Sequence, residues 1–141
     1  MSFLTKDDLI TVATADIINR LTNHDSSIID SIIQESIALF KSYLSKHYNT
    51  DHIFSQAGNA RHKTVLKRLK DVVIFEIYER HTREHNLAAK RRYDEAMLWL
   101  EKLNTGEFFD LTLPQKQTSE NTPSQSLQVR FGSNKKYSSL Y

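Results

Sequence analysis

Apolar positions recur along most of this chain at the three- and four-residue spacing of a helix stripe. Between residues 90 and 106 Tyr93, Ala96, Leu100 and Leu103 fall at offsets of three, seven and ten, and Met97 and Trp99 widen the stripe. Lys102 suits the C-terminal end of a helix dipole, and Gly106 supplies the left-handed residue that commonly ends a helix. Upstream, Val65, Leu66, Leu69, Val72, Val73, Phe75, Ile77 and Tyr78 make a helix over about 63–81 with an almost all-round apolar centre, the expected middle of a bundle. The β-branched cluster at 72–74 would suit a strand, but the length and the flanking period favour a helix. A long helix over about 27–48 carries Ile29, Ile33, Ser36, Phe40, Tyr43 and Leu44 on one broad face, with Ile32 and Ile37 beside it, and must pack on at least two others. Two short helices precede it. One covers about 6–11, capped by Thr5 with Asp7 and Asp8 in its first turn, and the other about 15–22 with Ile17, Ile18 and Leu21 inward. Residues 49–62 read as a loop whose Ile53 and Phe54 tuck back onto the body, and residues 82–87 read as a short connection.

The pattern changes after Gly106. Residues 114–126 contain no large apolar residue and read as a polar linker. In the last fifteen residues Leu127, Val129 and Phe131 alternate with Gln128 and Arg130, a strand signature. Gly132, Ser133 and Asn134 offer a turn before Tyr137, Leu140 and Tyr141. The expected fold is therefore all-α: a small bundle of about five helices, two short and three long, over 1–113. A linker over 114–126 and a docking arm over 127–141 follow, the arm able to form a short strand or hairpin. A lone strand is marginal in water and needs an edge to pair with, so Leu127, Val129, Phe131, Tyr137 and Tyr141 are candidates for contact with another chain.

Composition narrows the function more by exclusion than by signal. With three glycines, two prolines and no cysteine in 141 residues, many-turned β folds, disulfide frameworks and thiolate metal sites are disfavoured. No apolar run approaches the roughly 20 residues that span a bilayer, and MSFLTKDD lacks the order of a secretory signal, which predicts a soluble intracellular product with no membrane partner. Phosphate loops and nucleophile elbows are absent. His81, Glu84 and His85 spell the order of inverted zinc peptidases, but Arg80 and Arg83 oppose a cation there and no third-ligand motif follows. His47, His52 and His62 surround the 49–62 loop and read as surface or capping groups. The expectation is no enzyme, no metal and no cofactor.

Charge is unevenly divided. Residues 1–60 hold 4 basic and 7 acidic groups (−3), residues 61–105 hold 11 and 7 (+4), and residues 106–141 hold 4 and 3 (+1). Acidic and basic segments of neighbouring copies could meet head to tail. Arg61, Lys63, Lys67, Lys90, Arg91 and Arg92 are candidates for inter-subunit charge contacts or for non-specific contact with DNA in a channel. A small basic-patch DNA-binding accessory protein of a phage or prophage is the alternative reading, although interspersed acidic residues and the lack of a polar recognition helix weigh against sequence reading.

The order FLTKDDL, INRLT, SYLSKHYNTDHIF, KRLKDVVIFEIYERH and RRYDEAMLWLEKLNTGEFFDL resembles the head–tail connectors of Mu-like phages and prophages, relatives of the helical head-completion adaptors. The resemblance covers about 3–111. Tyr43, Leu44, Tyr48, Arg92, Tyr93, Ala96, Leu100 and Gly106 carry most of it, while His47 stands where many members have arginine. It implies a non-enzymatic virion protein at the head–tail junction, made in the host cytoplasm. Its implied assembly is a ring, dodecameric in the family, that sits on the portal protein, joins the DNA-filled head to a neck or tail protein and extends the DNA channel.

Overall fold

The computed structural model describes residues 2–81 and 85–117. They form a helical bundle with no strand among the described residues. A 3-10 helix, Lys6–Thr11, is followed by α1 (Ala15–Leu21), α2 (Ser26–Leu44), α3 (Thr50–Ser55), a single 3-10 turn at Gly58–Ala60, α4 (Lys63–Glu79) and α5 (Leu87–Thr105). The expected all-α architecture of two short and three long helices is present, with α3 as an addition.

Helix α4 is the centre. Asp71, Val72, Val73 and Ile74 are consecutive and all buried. Four residues at about 100° each sweep most of the way round a helix, so this stretch is enclosed on nearly every side. Helices α2, α5 and α1 and the N-terminal 3-10 helix supply the enclosure. Burial outweighs the modest helix penalty of the Val72–Val73–Ile74 run. Helix α2 lays Ile29, Ile32, Ile33, Ile37, Phe40 and Leu44 against it, and α5 contributes Ala89, Ala96, Leu100 and Leu103. Phe75 of α4 and Tyr93 of α5 stack with ring centroids 4.1 Å apart.

Caps set the boundaries. The Asp8 carboxylate accepts from both the backbone N–H and the hydroxyl of Thr5, at 2.9 Å each. Asp25 accepts from Ser27 N–H at 2.9 Å, and Asn86 from Ala89 N–H at 3.0 Å, which starts α5 at Leu87, six residues before Tyr93 opens its apolar stripe. His62 caps α4 by accepting from Val65 N–H through Nδ1 at 3.4 Å. Gly106 takes the left-handed conformation (φ 84°) at the end of α5.

Two differences from the sequence reading lie together. Helix α2 ends at Leu44 rather than about 48, and the expected 49–62 loop contains α3. Asn49, which reads as a turn residue, is the N-cap of α3, accepting from His52 N–H at 3.1 Å. Ile53 is buried as expected, and Phe54 packs edge-on against Phe3 and Phe40, with centroids 5.0 and 6.4 Å apart.

Freed from α2, Tyr48 becomes the anchor of the chain's return. Its side chain is fully buried, its ring stacks on Phe109 at 5.5 Å, and its hydroxyl accepts from Asp110 N–H at 3.0 Å. Burial pushes the phenol above its ordinary pKa, a tendency that the Asp110 N–H opposes. Beyond it Leu113 is buried, Asn49 N–H donates to Pro114 O at 2.9 Å, and Lys116 N–H donates to His47 O at 3.1 Å, around an antiparallel bridge of Tyr48 with Gln115. Residues 107–117 thus form a strap across the bundle end, and residues 114–117 of the expected linker lie on the body. Replacing Tyr48 with Phe leaves the Asp110 N–H without its acceptor. The expected loss is about 1–2 kcal/mol of unfolding free energy in urea titrations, and a variant as stable as the wild type would show that the hydroxyl does not hold the strap.

Candidate functional site

The candidate cations do not form one surface. Arg61 is committed internally: Nη1 donates to Phe3 O at 2.8 Å and to Asp8 at 2.9 Å, Nη2 donates to Asp8 at 3.3 Å, and Nε donates to Gly58 O at 2.9 Å. It ties the N-terminal segment to the turn before α4, a structural use that its place in a basic cluster does not reveal. Burial alone would raise the Asp8 carboxyl, but the hydrogen bonds from Arg61 and Thr5 outweigh it and hold Asp8 below the ordinary carboxylate range.

Lys67 and Arg92 converge on Asp71, the one buried charged side chain among the described residues. The separations are 3.2 Å from Lys67 Nζ and 3.6 Å from Arg92 Nε. Lys70, one turn along α4 from Lys67, donates to Thr11 Oγ1 at 2.9 Å. These residues, with Val12, line an open recess of about 300 Å³ between the N-terminal 3-10 helix, α4 and α5. Lys90 and Arg91 lie on the exposed side of α5, each facing a carboxylate one turn on, Asp94 at 2.8 Å and Glu95 at 3.7 Å. Lys63 is exposed at the start of α4. The structure therefore brings together Lys67 and Arg92, adds Lys70, and separates them from Arg61.

Three histidines, His47, His62 and His81, serve the fold. His62 Nε2 lies 2.7 Å from Thr112 Oγ1, and because Nδ1 accepts the α4 cap, Nε2 carries the proton and donates. His47 Nε2 donates to Asn104 O at 3.2 Å, and His52 is exposed. His81 Nε2 donates to Leu21 O at 2.8 Å, a carbonyl that also accepts from Arg80 at 3.0 Å. His85 is exposed, and Glu84 lies outside the described residues. Among the described residues no three His, Asp or Glu side chains gather to hold a metal ion, and no helix is long and apolar enough to cross a membrane.

Exposed apolar groups gather on the strap, where Phe108, Phe109 and Leu111 all face solvent in part or in full. The arm candidates Leu127, Val129, Phe131, Tyr137 and Tyr141 lie outside the described residues.

A family model described as Bacteriophage Mu, Gp36 matches residues 3–130, nearly the whole chain. The chain belongs to this Gp36 family. Membership points to a phage structural or assembly protein. The Gp36 match runs past the strap and takes in Leu127 and Val129, whereas Phe131, Tyr137 and Tyr141 fall beyond it. No curated protein and no solved structure matches the chain.

The Asp8 pair gives a pH signature. A carboxyl whose folded pKa is depressed contributes stability that is present above the unfolded value of about 3.9 and is lost as pH falls through the folded value. Replacing Asp8 with Ala is expected to cost about 2 kcal/mol at pH 7. That gap narrows as pH falls below about 4, and thermal melts of both proteins from pH 7 to pH 3 measure it. A gap that stays constant over this range would mean that the charge on Asp8 is not what matters.

Proposed function

We propose that this protein is a head–tail connector subunit, which assembles as a ring on the portal vertex and links the DNA-filled head to the neck or tail without catalysing a reaction. The observation that carries the reading is the Gp36-family match from residue 3 to residue 130, which embraces both the helical body and the start of the arm. The physical character of the body supports it. Several of its ionisable side chains, Arg61, Asp8 and His62 among them, are spent on caps and internal ties. The last described stretch is held at the bundle end, where Lys116 N–H donates to His47 O, and the linker and arm continue from there along the chain. Leu127, Val129, Phe131, Tyr137 and Tyr141 are the residues of that contact.

Contact with channel DNA falls to Lys63, Lys90 and Arg91, exposed members of the basic set; Lys67 is exposed too but faces Asp71 in the recess. The carboxylates beside Lys90 and Arg91 moderate their attraction for phosphate, which suits a surface that DNA must slide past. The commitment of Arg61 to Asp8 favours this assembly role over a dedicated DNA-binding protein.

Removing residues 118–141 keeps every described contact of the strap and tests the arm. Phage complemented with the truncated chain should fill heads but join tails at a small fraction of the normal yield in electron micrographs, while the purified protein keeps its helical circular dichroism. Normal joining would exclude a docking role for the arm, and labelled protein found away from the head–tail vertex would exclude the connector role.

A further inference from the structure

Helix α4 is charged oppositely on its two sides. The recess on one side has three cations, Lys67, Lys70 and Arg92, against the single carboxylate of Asp71, a surplus of two positive charges. Asp71 cannot satisfy all three. Its distance from Arg92 Nε is 3.6 Å, beyond hydrogen-bond reach, and that buried Nε has no hydrogen-bond partner. Lys70 has only the neutral hydroxyl of Thr11, and among the described residues no carboxylate lies within ion-pair distance of it. The recess is open to solvent, and its cations outnumber the one carboxylate that faces them.

On the other side of α4, where it meets α2, Glu76 and Glu35 of α2 line one shallow recess, with Glu79 near them and Arg68 on the same side of the helix. Glu35 and Glu76 are exposed, and among the described residues neither has an ion-pair partner. Burial pushes the Glu76 carboxyl up, and the negative charges of Glu79 and Glu35 push it further. Lys67 and Glu76 are nine positions apart on one helix, about half a revolution round its axis. The cationic recess and the acidic side therefore face away from each other.

We infer that the recess lined by Lys67, Lys70 and Arg92 receives the Glu35 and Glu76 carboxylates of a second copy of this chain, in a head-to-tail contact. This rests on the ring reading above and deepens it by naming the two faces that meet. A two-fold contact made by either side alone would set like charge against like, whereas a head-to-tail contact pairs opposite charges and leaves one free face of each kind on every pair, so that it repeats. Each side relieves what the other lacks: the donors gain a carboxylate, and the mutually repelling glutamates gain cations.

The test uses the full chain in sedimentation velocity at low salt, with Lys70→Glu and Glu76→Lys, both surface changes whose folding circular dichroism checks. Wild type should self-associate, with an apparent affinity that falls as salt rises. Each variant alone should associate at least tenfold more weakly. A 1:1 mixture of the two should recover association, because every recess lost in one variant is intact in the other. If wild type associates and neither variant weakens it, these faces are not the contact and the inference is overturned while the ring reading stands. If wild type remains a monomer at every concentration and salt, the inference is overturned, and the ring reading then rests on the location of the protein in particles.

Discussion

The burial of four consecutive residues at the middle of α4 is the constraint on which the rest depends. A helix enclosed at Asp71, Val72, Val73 and Ile74 cannot lie on a surface, and every other long element must be arranged to cover it. Helices α2 and α5 pack on it and on each other, and the N-terminal segment and α1 close what remains. The short N-terminal pieces are held by this arrangement more than by themselves. The 3-10 helix relies on Arg61 reaching back to Asp8 and Phe3 O, and the end of α1 relies on Arg80 and His81 at the far end of α4 donating to Leu21 O. Both ends of α4 thus fasten the N-terminal third of the chain.

The same enclosure holds Asp71, the one buried charged side chain among the described residues. Asp71 sits in the apolar run of α4, where a leucine would satisfy packing at lower cost in desolvation. What accompanies it is a set of cations that its single carboxylate does not exhaust, with Lys67 and Arg92 drawn in from two helices and Lys70 beside them. A buried anion of this kind preorganises positive groups at a surface opening, so that cations which would otherwise wave freely in solvent are held in a defined place. A fixed charge pattern is more selective than a diffuse one of the same total.

Tyr48, buried between the end of α2 and the returning chain, converts what would be a trailing segment into a fixed exit point. His62 and Thr112 reinforce it from the α4 side, and His47 from the α5 side. Three of the residues that look most like chemistry in the sequence, His47, His62 and His81, are employed as hydrogen-bond donors to backbone or hydroxyl oxygens. Their spacing carries no information about this, because each partner lies about 50 residues or more away along the chain.

The sequence by itself determined the helical class, the central place of α4, the apolar faces of α2 and α5, the Thr5 cap and the Gly106 stop. All of these depend on local spacing and on backbone preferences that a window of a few turns contains. It also showed the change of character after Gly106 and carried the family pattern, since packing residues such as Tyr48, Ala96 and Leu100 stand in a recognisable order. Tertiary structure alone decided that the basic residues divide between an internal tie at Arg61, a recess at Lys67, Lys70 and Arg92, and exposed pairs on α5. It decided too that α2 stops at Leu44 and that residues 114–117 lie on the body. The physical reason is common to these cases: a side chain's charge or hydrogen-bonding capacity is fixed by its type, but its partner is fixed by which elements the core brings side by side, and those lie far apart along the chain.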